Sequence, residues 1–163
     1  MKQKKKTLIT WLGMTDGRVA IGTERGNGLG PIASIVCEAD IKFDNVTILY
    51  DLARRKEKDE FIKYIKRFIK KDEIITISSK PINIKHPNDF LTVYEYVERI
   101  LVDIKNNLDE EFYINISSGS PAMAVCWFVC VERMKLNDRI TFLETSKFRG
   151  TQVINLPETT LAV

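Results

Sequence analysis

The chain predicts an α/β fold: a mostly parallel sheet with helices on both faces and an antiparallel hairpin at its C-terminal edge. Three observations lead there. Short runs of β-branched and aromatic residues alternate with helix-spaced segments along the chain. One run, Ile114-Asn115-Ile116, passes directly into the small hydroxyl-rich turn Ser117-Ser118-Gly119-Ser120 and then Pro121, which opens an apolar helix. The last two runs lie too close in sequence to hold a crossover helix, so they pair as a hairpin.

Thr7–Leu12 (TLITWL) reads as a buried strand. From Gly13 to Gly30 glycine recurs, at Gly17, Gly22, Gly26 and Gly28 as well, which predicts a long flexible loop able to fold over a ligand as a lid. Pro31–Ala39 is a short helix begun by its proline. Val46–Tyr50 is a second strand, ended by Asp51. Lys56–Lys70 is an amphipathic helix with Phe61, Ile65, Phe68 and Ile69 on one side and lysines on the other. Glu73–Ser78 is a third strand, and a loop through Pro81 and Pro87 leads to Asn88 as an N-cap. The helix after it carries Phe90, Val93, Val97, Leu101 and Ile104 at helical spacing. Phe112–Ile116 is a fourth strand, the Pro121 helix follows, and Arg139–Thr145 and Thr151–Leu156 close the sheet. No repeat, low-complexity tract or composition break interrupts this order, so residues 1–163 read as one Rossmann-like domain.

With 163 residues, 44% of them hydrophobic and 29% charged, the chain suits one globular domain with a real core. No run approaches the roughly 20 apolar residues of a membrane span. The lysine-rich start has no apolar signal core behind it, so the cytoplasm is the expected compartment. A net charge of +3 is too small to mark a duplex-DNA binder. The densest basic residues (Arg54, Arg55, Lys63, Lys66, Lys70 and Lys71) fall on the solvated side of an amphipathic segment. Cys37, Cys126 and Cys130 are odd in number, and the one histidine, His86, stands apart in a loop. Disulfides, a metal, a cofactor and a Cys-His catalytic pair are therefore not expected.

The strand-to-helix turn is the first candidate site. Gly119 lets backbone approach a ligand, Ser118 or Ser120 can cap the helix, and Pro121 gives up an amide that the first helical position does not need. The remaining amides and the positive end of the helix dipole suit a phosphate or the edge of a base. A plain capping turn has the same composition. The second candidate is the loop after the first strand, offering Thr15, Asp16 and Arg18. Gly26-Asn27-Gly28-Leu29-Gly30 has the wrong spacing for a dinucleotide fingerprint and begins too far beyond the strand. Lys147 and Arg149, after the fifth strand, either neutralise phosphates or are ordinary hairpin-tip charges. The helix Ala122–Val131 is apolar on every face, so the side turned away from the sheet must also be covered; a neighbouring helix of the domain can do this, and the favoured reading is a homodimer interface formed by Met123, Trp127, Phe128 and Val131.

Taken together, Ile114–Met123 with Trp127, and Trp11-Leu12-Gly13-Met14-Thr15-Asp16 after the first strand, resemble the CARF domains, CRISPR-associated Rossmann-fold sensors. The likeness is to the version that regulates bacterial RNA-repair operons and to modules fused to CRISPR effectors. The resemblance implies a dimeric domain binding a cyclic oligoadenylate, a tetra- or hexa-adenylate ring, with Gly13, Met14, Thr15 and Asp16 on one loop. Ser117, Ser118, Gly119, Ser120, Pro121 and Met123 line the other side of the cleft in this reading. Many members carry a lysine where Pro121 stands here, so Arg18 or Lys147 is expected to substitute.

The expected function is a sensor that regulates an effector attached beyond these residues, the chain being the N-terminal part of a longer protein in antiviral defence. The alternative is a ring nuclease in which a ribose 2′-OH attacks the adjacent phosphate without metal, with Thr15, Ser118 and Lys147 as the assisting groups. The lack of a histidine near the turn weighs against it.

Overall fold

The computed structural model describes residues 3–23, 28–86 and 88–154. Gly26 and Asn27 of the glycine-rich stretch, Pro87, the predicted strand end at Leu156 and the residues after it lie outside the described residues. Six strands form one sheet: β1 (Lys5–Trp11), β2 (Asn45–Asp51), β3 (Thr76–Ile82), β4 (Glu110–Asn115), β5 (Ile140–Ser146) and β6 (Gly150–Ile154). The sheet order is β3-β2-β1-β4-β5-β6, parallel except for the antiparallel β5–β6 hairpin. The order turns back between β1 and β4, so the crevice at their carboxyl ends is the topological switch point.

Five α-helices are described: α1 (Met14–Ile21), α2 (Pro31–Glu38), α3 (Arg55–Phe68), α4 (Phe90–Asn106) and α5 (Pro121–Arg133). β1 shows why they divide between the faces. Ile9 and Trp11 point to a core shared with Val93, Val97 and Leu101 of α4 and Cys126, Trp127 and Cys130 of α5. Leu8 and Leu12 point the other way, against Ile32 and Ile35 of α2 and Phe61 and Ile65 of α3. Alternation with a period of two therefore feeds two separate hydrophobic layers.

Several expectations are corrected. The stretch after β1 is not a loop throughout, since Met14–Ile21 is helical. The Asp16 carboxylate accepts from the Gly13 amide at 3.0 Å, half of a capping box, and Gly22 in the left-handed region (φ 79°) closes the far end. α4 is capped by Asp89, which accepts from the Thr92 amide and hydroxyl, rather than by Asn88. The third strand runs on through Pro81, which an edge strand tolerates because its outer amide has no partner to lose.

The α5 prediction changes most. Trp127 and Val131 are fully buried, Met123 nearly so, and Phe128 packs edge-on against Phe142 at 4.8 Å. Trp127 lies against Trp11 of the same chain, 6.4 Å between ring centres. The all-round apolar character of α5 is consumed mainly by the sheet on one side and α4 on the other. Val125 and Val129 are what remain exposed, one helical turn apart.

Candidate functional site

A cleft of about 270 Å³ opens at the switch point, between the β1–α1 junction and the β4–α5 turn. Nine of the sequence-predicted residues line it: Gly13, Met14, Thr15 and Asp16 from the first segment, and Ser117, Ser118, Gly119, Ser120 and Met123 from the second. The two segments touch. A Cβ on Gly13 would sit 3.0 Å from the Gly119 amide nitrogen, and one on Gly119 (φ 97°) would sit 3.1 Å from the Trp11 Cβ. Glycine at both positions is what lets the backbones close on one another. Pro121, Arg18 and Lys147 do not line the cleft: Pro121 begins α5, and Arg18 and Lys147 are exposed on α1 and on the β5–β6 turn.

The turn is held from below by Asn115, a fully buried residue whose importance the alternating pattern of β4 understated. Its amide nitrogen donates to the Thr10 and Ser118 hydroxyls, both at 3.0 Å, and its carbonyl accepts from the Ser117 amide at 2.8 Å. Ser117 Oγ in turn accepts from the Thr145 amide at 2.7 Å, tying β5 to the site. Ser120 is the α5 cap: its hydroxyl accepts from the Met123 amide at 3.3 Å, and its own amide meets the Met123 sulfur at 3.3 Å. The Ser118 and Gly119 amides make no hydrogen bond among the described residues, and the proline at the first helical position leaves them at the positive end of the helix.

Asp16 has a structural office that sequence reasoning did not foresee. It is 1% exposed, and its two oxygens accept from Gly13 N at 3.0 Å and Ile32 N at 2.9 Å. One carboxylate thereby caps α1 and α2 together. Burial pushes its pKa up to about 6, against the opposing pull of the Ile32 amide, the Ser118 hydroxyl, the Gly13 amide and the Arg54 charge.

Arg54, assigned from the sequence to the solvated face of α3, is a lining residue of the cleft instead. Its guanidinium donates to the Leu12 carbonyl at 3.2 Å and the Gly13 carbonyl at 3.4 Å, and pairs with Glu57. The signal was hidden because Arg54 ends a 3₁₀ turn after β2, capped by Asp51, rather than lying on the amphipathic helix proper. Arg54 and Asp16 together fix the backbone at Gly13 from opposite sides.

No cluster of metal-ligating side chains occurs among the described residues, and the three cysteines are free. Burial raises the Cys126 thiol to about 11, which makes it a poor nucleophile. His86 is not among the residues lining the cleft. No helix of the described residues is long and apolar enough to cross a membrane.

The geometry agrees with known proteins. No curated protein matches the chain. Among solved structures, Enterococcus italicus Csm6 bound to cyclic hexa-2′-fluoro-hexa-dAMP has the same fold, with a TM-score of 0.67 at 21% sequence identity. The likeness covers 91% of this chain and 35% of that one, so the chain spans about a third of its relative's length. The family model described as RtcR, Regulator of RNA terminal phosphate cyclase, matches residues 4–154, nearly the whole chain. With its sheet order, its switch-point cleft and that match, the chain belongs to the RtcR family of CARF domains.

Proposed function

We propose that this chain is the sensing domain of a longer regulator, and that two copies bind one cyclic oligoadenylate ring across a two-fold axis. The observation that carries the reading is the cleft itself. It pairs amides at a helix N-terminus, suited to phosphates, with apolar walls from Met14, Met123 and Trp11, suited to bases. Csm6, the relative of the same fold, was solved with a cyclic hexanucleotide, which supports a ring as the ligand class.

With Trp127 and Val131 committed to the core, the dimer face we propose is the exposed stripe Val125–Val129. We add Leu91, exposed at the start of α4, because α4 and α5 meet there, the Cys126 sulfur standing 3.7 Å from the Phe90 carbonyl. Binding would shift the protomers and so act on an effector elsewhere in the polypeptide, provided the ring prefers one arrangement of the pair. Such a ring is a messenger of CRISPR antiviral defence in the cytoplasm, where we place the sensor. Cleavage of the ring has less support. Ser118 is buried in the Asn115 network, and His86, the one histidine that could act as a base, is not among the residues lining the cleft.

Native mass spectrometry with cyclic tetra- and hexa-adenylate tests this. One intact ring per two chains is the expected species. Failure to bind either ring, or a monomer holding one, sinks the proposal, and linear products would restore the nuclease.

A further inference from the structure

The tip of the β5–β6 hairpin has a composition that the fold does not use. Phe148 is 94% exposed and makes no ring contact among the described residues. Exposed Lys147 and Arg149 flank it and form no ion pair among the described residues. The hairpin is nonetheless well built. Arg149 N donates to Ser146 Oγ at 3.1 Å, Gly150 takes the left-handed turn position (φ 67°), and Thr145 and Thr151 hydroxyls meet across the stem at 3.3 Å.

Its place matters more than its exposure. β5 runs parallel to β4, so its carboxyl end, where the tip begins, is at the same edge of the sheet as the cleft. It stands one strand spacing, about 4.8 Å, from β4. Ser117, which lines the cleft, is bonded to Thr145, two residues before Lys147. A rigid stem thus presents an aromatic ring between two cations beside the amides of the turn. That pairing of stacking face and positive charge is how proteins hold exposed nucleobases and their phosphates.

We propose that the hairpin tip is a further wall of the ligand site, with Phe148 stacking on an adenine base of the ring and Lys147 and Arg149 facing its phosphates. This rests on the cyclic oligoadenylate reading above. It also gives the tip cations a role in place of the lysine that Pro121 displaces.

The test titrates the protein and its Phe148→Ala and Phe148→Trp variants with cyclic hexa- and tetra-adenylate carrying one 2-aminopurine, while oligomeric state is followed by light scattering. Phe148 is exposed, so both variants keep their fold, which thermal melts verify. The expected result is quenching of the 2-aminopurine on binding, affinity about tenfold weaker in Phe148→Ala, and recovery in Phe148→Trp. Unchanged affinity in Phe148→Ala overturns the inference and leaves the sensor reading standing. Equal weakening in both variants, or weakening that accompanies loss of the dimer, also overturns it, the latter marking the tip as a protein contact. If the unaltered protein binds neither ring, the sensor reading and this inference fall together.

Discussion

Gly119→Ala separates two reasons for a glycine and puts a number on the closeness of the cleft's walls. At φ 97° any side chain is strained, by about 1–2 kcal/mol for the left-handed region. A new Cβ would in addition stand 2.8 Å from the Met123 sulfur and 3.1 Å from the Trp11 Cβ. The sulfur is near the end of a flexible chain and can swing aside. The Trp11 Cβ cannot, because its ring is buried against Trp127. Overpacking of this kind costs about 1–3 kcal/mol, so Gly119→Ala should lose about 3 kcal/mol in all. Gly22→Ala is the control: φ is 79° and nothing lies within 4 Å, leaving strain alone, while the gain of about 0.4–1 kcal/mol from a stiffer unfolded chain is common to both variants and cancels in the comparison. Urea denaturation of both variants reads the difference as a shift in midpoint at constant slope. If the two variants lose equal stability, contact between the β4–α5 turn and Trp11 is not why glycine stands at 119. The account of the cleft as two backbones in contact would then fail.

Four other outcomes follow from the same structure. Asp16, raised from 3.8 to about 6, should make stability fall as pH rises from about 4 to 7, because the folded protein holds the proton more tightly. The full effect is about 3 kcal/mol at 1.36 kcal/mol per pH unit, and Asp16→Asn should flatten that slope in melts run across the range. Asn115→Ala removes the acceptor of the Ser117 amide and the donor to the Thr10 and Ser118 hydroxyls, which keep their bonds to the Trp11 carbonyl and to Asp16, and should lose about 2 kcal/mol by chemical denaturation. Arg54→Gln leaves the Leu12 carbonyl without this donor and the Gly13 carbonyl with the Gly17 amide alone, a loss of about 1 kcal/mol given the partly exposed Glu57 pair, and should weaken ring binding at the same time in calorimetry. Val125→Asp with Val129→Asp should split the proposed dimer in sedimentation while the protomer's melting temperature stays within a few degrees, whereas Trp127→Ala should cost about 3–5 kcal/mol of fold stability.

The sheet was legible because its signals are local. The apolar run Thr7–Leu12 and the alternation in Phe112–Ile116 need no tertiary knowledge, and the Ser120-Pro121 start of α5 is written in adjacent residues. α1 escaped notice because eight residues with a glycine at 17 give little periodicity, and its anchoring depends on a carboxylate that also caps a helix sixteen residues away. The same distance effect hid Asp16. A carboxylate beside a ligand turn reads as a ligand contact, and the sequence gives no sign that its oxygens also hold the Gly13 and Ile32 amides. Arg54 was misplaced for a related reason. A periodic reading assigns it to the helix that follows, whereas a 3₁₀ turn rotates it back toward β1.

Those two residues explain why the cleft is where it is rather than merely what lines it. A switch point leaves a crevice because the connections from β1 and β4 depart to opposite faces of the sheet, and nothing in that topology fixes the crevice's width. Here Asp16 ties the β1–α1 junction to the start of α2, Arg54 ties it to the end of β2, and Gly13 against Gly119 ties it to the β4–α5 turn. A group entering the cleft therefore meets a junction braced on three sides. It cannot displace Gly13 without disturbing the start of α2 on one face or of α5 on the other. The position of Gly13 is thus tied by direct contact to the starts of the helices on both faces.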